Sequence, residues 1–419
     1  MTTKSPAKHK NTVLNQICDL IPPHLTTKLA RKHKVNSRSF TPWSHVVSLL
    51  YGQLTHAIGL NDICDSLRVF GGYLSRIRGA VAPPRNTLSN ANRRRPAEMI
   101  EELFWETMRH LESQAPGFGR AGSRFKPPRG FKRTIHAVDS STIQLVADCM
   151  DWAKHRRRKA AAKLHLTLNL NSFLPSFAVV DTAKDSDASR AAACCAHLRD
   201  GEIVVFDRAY VILDLLADLD ERGVFWVTRS KKNMKFRCVK KLIRKPTGNI
   251  LRDDLVVLSC KGSKKKYQKR FRRIVAIVEV RGKPREMTFI SNNLDWAPGS
   301  ICDLYRCRWD IETFFREIKQ TLQIADFYGH NKNAVKWQIW SALLAYILLR
   351  YLKHLSKWPH SFVRLFTSVR AVVWRLLDLP ALLKPDPGNG TALGGTRICS
   401  RPEQLYLPGI ASIEWDSTL

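Results

Sequence analysis

Residues 305–319 read YRCRWDIETFFREIK. Within them Tyr305, Arg308, Glu312 and Lys319 are spaced by three, four and seven residues, all close to whole helical turns. At about 100° per residue the four side chains fall within an arc of roughly 60° on a helix. The apolar residues Ile311, Phe314, Phe315, Ile318 and Leu322 occupy the adjoining face, which fixes how such a helix sits on a core. A phenol, a guanidinium and an ammonium around one carboxylate suit a site that holds a metal and a phosphate together. The competing reading is a charged helix face that is merely solvated, and the rest of the chain must decide between them.

Outward from this segment, charge is the dominant feature. The chain has 419 residues with 69 Lys+Arg against 36 Asp+Glu, a net charge of +33. Such an excess makes a polyanion the default partner and implies non-specific nucleic-acid binding at low salt. At 44% hydrophobic residues the chain is globular rather than disordered. It is long for one compact domain. No uninterrupted apolar stretch approaches the roughly 18 residues of a membrane span; the longest, 339–349, stops at Arg350. MTTKSPAKHKN at the start has no apolar segment of a signal peptide. The ten cysteines include no CxxC pair, so neither a zinc site nor a disulfide framework is expected, and reduced thiols fit best.

Residues 12–70 read as helices, among them 43–54, where Thr41-Pro42 has the form of an N-cap followed by proline in the first turn. Gly71-Gly72 breaks the pattern, Pro83-Pro84 ends it, and a helix at 97–113 follows the basic stretch PRNTLSNANRRRP. This basic helical block suits either a module that binds DNA ends or a plain accessory domain. After a Gly/Pro/basic linker at 120–133 the periodicity changes to strands. Strands are expected at 134–138 and 142–146, at 164–170 (LHLTLNL) pairing with 176–180, at 202–206 and at 224–228, with a helix at 211–222. Between Arg229 and Arg285 there are 21 Lys/Arg against three acids (Asp253, Asp254 and Glu279), a net of +18 in a β-rich stretch. A long apolar helix is expected at 333–354, and a Gly/Pro-rich irregular tail from Lys384.

Asp139 and Asp207 each fall where a strand is expected to end, the edge at which functional side chains gather in α/β sheets. Two strand aspartates and the helical Glu312 are enough to hold two Mg²⁺ ions for phosphodiester chemistry. Taken singly each aspartate also suits a turn or cap. Asp148, Asp151, Asp181, Asp185 and Asp187 are rivals that spacing does not exclude.

The order Asp139, Asp207, Glu312, with separations of 68 and 105 residues and Glu312 inside Tyr-x2-Arg-x3-Glu-x6-Lys, resembles the DDE transposases of bacterial insertion sequences, in the insertion-sequence-four branch. VDSST at Asp139, VVFDRAY at Asp207, FWVTR, TFISNNL and KNAVKWQIWSALLAYILLRYL are similar to that branch, and the resemblance runs from about residue 11 to 383. It implies an α/β fold: a ribonuclease-H-like catalytic core interrupted by a β-rich insertion, with a helical N-terminal accessory domain. The divisions implied are 1–118 (helical DNA-binding or accessory domain), 119–229 (first part of the core), 230–295 (basic β-rich insertion), 296–383 (rest of the core) and 384–419 (tail). Asp139, Asp207 and Glu312 would be catalytic ligands of two Mg²⁺ or Mn²⁺ ions, and Tyr305, Arg308 and Lys319 would contact phosphates of the transposon end. The implied activity is cleavage at the terminal inverted repeats and joining to target DNA, by a homodimer on double-stranded DNA in the bacterial cytoplasm, associated with the nucleoid. The competing functions are an inactive DNA-binding relative and a nuclease that cuts without joining.

A hairpin route to the free end would require a flipped base stacked on an aromatic ring, for which Trp226, Trp296 and Trp309 are available, with core burial the rival role of each. One departure stands out: relatives carry an acid in the stretch occupied here by LHLTLNLNS, where this chain has Asn169 and Asn171, read as surface positions.

Overall fold

In the computed structural model, residues 7–119, 131–145, 154–156, 159–182, 187–280, 282–322 and 327–384 are described. The expected tail and most of the expected linker, with Asp148, Asp151 and Asp185, lie outside them.

Alternation in 164–170 is realised in β3 (Lys159–Asn169), which pairs antiparallel with β4 (Leu174–Thr182), Leu164 facing Val180. On its other side β3 pairs antiparallel with β1 (Ile135–Leu145), and the short β2 (Lys154–Arg156) pairs with its start. β1 runs parallel to β5 (Ile203–Phe206), and β5 parallel to β6 (Phe225–Arg229). The sheet then continues antiparallel through β10 (Lys283–Ser291), β9 (Phe271–Val280), β8 (Ile250–Leu258) and β7 (Phe236–Lys241). These ten strands form one mixed sheet, so the fold is α/β. The outermost strand, β7, is almost wholly exposed and carries Arg237, Lys240 and Lys241, charges that discourage pairing with another edge.

Asp139 does not terminate a strand: β1 runs without interruption from Ile135 to Leu145, because β3 supplies partners along that length. What ends near Asp139 is the pairing with β5, whose last register pair is Val138 with Phe206. Asp207 does follow directly on the last residue of its strand. The two carboxylates therefore still share one edge.

Side-chain parity along β1 and β5 assigns the two faces. Ala137, Ile143, Ile203 and Val205 join the large buried cluster that includes the helices Trp309–Thr321 and Lys332–Leu355. Val138, Val204 and Phe206 join a second cluster with Cys194 and Tyr210, under the helices Asp187–Cys195 and Leu213–Glu221. Odd-numbered Asp139 and Asp207 belong to the first face.

The helix Lys332–Leu355 is buried around nearly its whole circumference, which its all-round apolar sequence dictates. The N-terminal block packs on it. Thr41 caps the helix Pro42–Thr55 by accepting from the Ser44 N–H, as its Thr-Pro signature requires. From that helix His45 lies against Trp337, ring centroids 4.2 Å apart. Trp337 Nε1 donates to Arg95 O at 2.7 Å. One buried cluster thus runs from Val13 to Leu383. The stretch after Pro84, which carried no expected element, is the helix Arg85–Arg94, and the diglycine opens a short helix, Gly71–Ser75, rather than a loop. No helix among the described residues is long and apolar enough to cross a membrane, and the eight cysteines described are free.

Candidate active site

The segment 305–319 is not one continuous helix. A first helix, Pro298–Cys307, ends and a second, Trp309–Thr321, begins at Arg308. The Arg308 N–H bonds to Tyr305 O at 3.1 Å and Ile311 N–H to Arg308 O at 3.2 Å, a tightening from four-residue to three-residue spacing of the kind often found at functional hinges. Ile311, Phe314, Phe315 and Ile318 are buried as their periodicity requires, and Tyr305 and Arg308 are drawn under the surface with them, whereas Glu312 and Lys319 stay open to solvent.

This arrangement brings five of the six expected site residues together. Arg308 donates through one terminal nitrogen to Asp139 Oδ2 and through the other to Glu312 Oε1, each at 2.9 Å. The Tyr305 hydroxyl donates to Asp207 Oδ1 at 3.2 Å. Lys319, two turns beyond Glu312, does not join them: its amine donates to Thr142 O on β1 at 3.0 Å. An open cleft of about 400 Å³ lies between Asp139, Glu312, Arg316 and Lys319. A second, of about 540 Å³, opens beside Asp207 and is lined by Arg208, Lys231 and Lys232. These three cations escaped residue-by-residue selection; the density of Lys and Arg after residue 229 was the signal for Lys231 and Lys232, and Arg208 carried none beyond its place next to Asp207.

Electrostatics set the state of the site. Burial pushes the Asp139 carboxyl up to about 6. The Arg308 charge and the Ser140 N–H work against that rise, and the nearby charges of Glu312 and Asp207 add to it. Burial likewise pushes the Tyr305 phenol up to about 12, so it remains a donor at neutral pH. Burial opposes the Arg308 charge, but Tyr305, Asp139 and Glu312 outweigh it and hold the guanidinium protonated. Its Nε is buried without a hydrogen-bond partner among the described residues. Three hard carboxylate donors suit Mg²⁺ or Mn²⁺ in chemistry. As placed, with Arg308 between two of them, no three His, Cys, Asp or Glu side chains among the described residues close around one point.

The remaining expectations resolve by packing. Trp226 is fully buried, Trp296 packs against Phe131 and Phe225, and Trp309, beside Arg308, is 40% exposed. Asn171 Oδ1 accepts from Ile135 N–H at 2.8 Å, and Asn169 Oδ1 accepts from the N–H groups of Asn171 and Ser172. Asn169 therefore caps the β3–β4 turn and Asn171 ties that turn to the start of β1. Asp181 pairs with Arg190 at 2.5 Å.

The model of the transposase DDE domain family matches residues 130–348, and a family of unknown function matches residues 9–76. A putative transposase of Sinorhizobium fredii is 30% identical over 76% of this chain and 86% of its own length. A probable transposase for insertion sequence element IS5377 of Geobacillus stearothermophilus is 29% identical over 57% of this chain and 63% of its own. The transposase InsG for insertion sequence element IS4 of Escherichia coli is 28% identical over 51% of this chain and 50% of its own. A solved piggyBac transposase synaptic complex with hairpin DNA covers 91% of this chain and 86% of its own at 10% identity and a TM-score of 0.42, too distant to carry an argument. With the family match covering the segment that holds Asp139, Asp207 and Glu312, the chain belongs to the DDE transposases of bacterial insertion sequences, in the insertion-sequence-four family, and is a DNA transposase.

Proposed function

We propose that this transposase cuts the terminal inverted repeats of its element by metal-dependent phosphodiester hydrolysis and joins them to target DNA, with Asp139, Asp207 and Glu312 as the catalytic acids. The observation that carries this reading is convergence: Asp139 and Asp207 at one sheet edge and Glu312 on the helix beside it, 68 and 105 residues apart in sequence, are drawn to one place, Arg308 bridging Asp139 and Glu312 and the neighbouring Tyr305 holding Asp207. The strand order β4-β3-β1-β5-β6, with β1, β5 and β6 parallel, supports a ribonuclease-H-like core. In that reading β7–β10 are an insertion between Asp207 and Glu312 that extends the core sheet, and 1–118 is a helical accessory domain sharing a core with the helix Lys332–Leu355. The divisions at 119–229, 230–295, 296–383 and 384–419 follow from it.

Asp139, Asp207 and Glu312 would hold two Mg²⁺ or Mn²⁺ ions. When bound, such ions supply the positive charge that activates a water or a 3′-hydroxyl and stabilises the departing oxygen. The chain's own groups do the rest. Arg308 presents a planar fork that fits a phosphate as well as it fits the carboxylates it now bridges. Tyr305 donates a hydrogen bond beside Asp207, and Lys319 adds a point charge at the mouth of the cleft. Arg208, Lys231 and Lys232 extend the cationic surface on the Asp207 side. Double-stranded DNA, both ends and target, is the partner this charge fits, with a homodimer holding two ends in the bacterial nucleoid.

The test is incubation of the protein with the inverted repeats that flank its own gene, with Mg²⁺ or with chelator, scoring cleavage and joining separately. Cleavage and joining that both require Mg²⁺ are expected. Cleavage without joining would reduce the protein to a nuclease, and bound but uncut ends would make it a DNA-binding relative.

A further inference from the structure

Asp187, one of the rival acids, lies on the opposite face of the sheet from Asp139 and Asp207. It opens the helix Asp187–Cys195, which packs over β1, β3 and the 3₁₀ turn Arg208–Tyr210. Its Oδ1 accepts from Ser140 Oγ at 2.6 Å, from the Tyr210 hydroxyl at 3.2 Å and from Lys163 Nζ at 2.9 Å. Ser140 is the residue after Asp139, and Tyr210 ends the turn that begins directly after Asp207. One carboxylate oxygen is thus tied to the chain behind both strand aspartates. Parity explains how: even-numbered Ser140 points away from Asp139, toward His165 and Lys163 of β3, with Ser140 and His165 paired in register. Tyr210 is almost fully buried, so its hydroxyl has a fixed position. Burial works against the Asp187 charge, but the bonds from Ser140 and Lys163 outweigh it and keep the carboxylate ionised.

We propose that Asp187 is a positioning residue of the active site, a clamp that sets the separation of Asp139 and Asp207 from behind the sheet through Ser140 and Tyr210. This rests on the reading that Asp139 and Asp207 hold the ions. Groups that orient metal ligands at one remove change affinity by about 10- to 100-fold when altered.

The experiment measures Mn²⁺ affinity directly by electron paramagnetic resonance, beside Mn²⁺-dependent nicking, end-DNA binding and thermal melting. Asp187→Asn is expected to weaken Mn²⁺ binding by about 10- to 100-fold, to raise the Mn²⁺ needed for half-maximal nicking in parallel, and to leave end-DNA affinity unchanged. Should Asp187→Asn not fold, the double variant Ser140→Ala/Tyr210→Phe removes both ties and is expected to show the same loss. Wild-type Mn²⁺ affinity in whichever of these folds overturns the proposal. Asp139→Asn separates the two levels. If it weakens Mn²⁺ binding and the clamp variants do not, the clamp alone fails; if it too binds Mn²⁺ normally, the metal assignment falls.

Discussion

Arg272 and Arg308 both grip carboxylates below the surface, in opposite ways. Arg272 on β9 closes both prongs on a single acid, Asp253 of β8, with Nε to Oδ1 at 2.7 Å and a terminal nitrogen on Oδ2, and spends its other terminal nitrogen on the carbonyls of Leu294 and Trp296. Both partners are buried and saturated. Arg308 instead splits its fork between two acids on different elements, leaves its Nε without a hydrogen-bond partner among the described residues, and has one of its acids, Glu312, open to solvent. The first pair is a finished joint in the sheet. The second is a poised one, because a phosphate offers the same oxygens to the same fork. Charge alone does not separate them; saturation and access do.

The largest effect that would sharpen this contrast is on stability. Arg272→Met leaves Asp253 buried without its partner and is expected to destabilise the protein by about 3–5 kcal/mol. Arg308→Met should cost only about 1 kcal/mol, since Glu312 is solvated and Asp139 takes up a proton readily. Denaturant melts of the two variants decide, and equal losses would erase the distinction.

A smaller effect has the opposite sign. Asp139 carries a carboxyl raised to about 6 in the folded chain, so between its unfolded value and about 6 the folded state binds more protons than the unfolded one. Its contribution to stability is therefore lost as pH rises through that window. Asp139→Asn in metal-free buffer should raise stability at neutral pH, on the order of 1–3 kcal/mol, and flatten that part of the pH profile, whereas Asp253→Asn should lower stability. Destabilisation by both would show that Asp139 is as structural as Asp253.

The smallest expected effect concerns DNA. Arg308→Ala should weaken binding of the transposon end and reduce the slope of log affinity against log salt by about 0.9, one phosphate contact. An unchanged slope would leave Arg308 as a purely internal counter-ion.

Much of the site was legible because it depends on local periodicity. The spacing of Tyr305, Arg308 and Glu312 and the buried stripe from Ile311 to Ile318 follow from helical repeat alone, and the alternation in β3 predicted its pairing with β4. What was not legible depends on partners distant in sequence. β1 continues past Asp139 only because β3 lies beside it. The helix is interrupted at Arg308, whose guanidinium bonds Asp139, a partner 169 residues away that local periodicity does not reveal. Asp187 looked like any other acid because its meaning lies in the register that puts Ser140 and Tyr210 within its reach. The helix Arg85–Arg94 was hidden by its polar composition; it is held by only a few buried residues, such as Leu88 and Ala91.

In the proposed mechanism Glu312 completes a cutting centre with Asp139 and Asp207, and Glu312→Gln isolates its charge. Glu312→Gln keeps the shape and the hydrogen-bonding oxygen while removing the charge, so nicking of the transposon end at matched end occupancy should fall by at least about 10²–10³-fold. End binding should survive. Nicking at the wild-type rate in Glu312→Gln would remove Glu312 from the cutting centre.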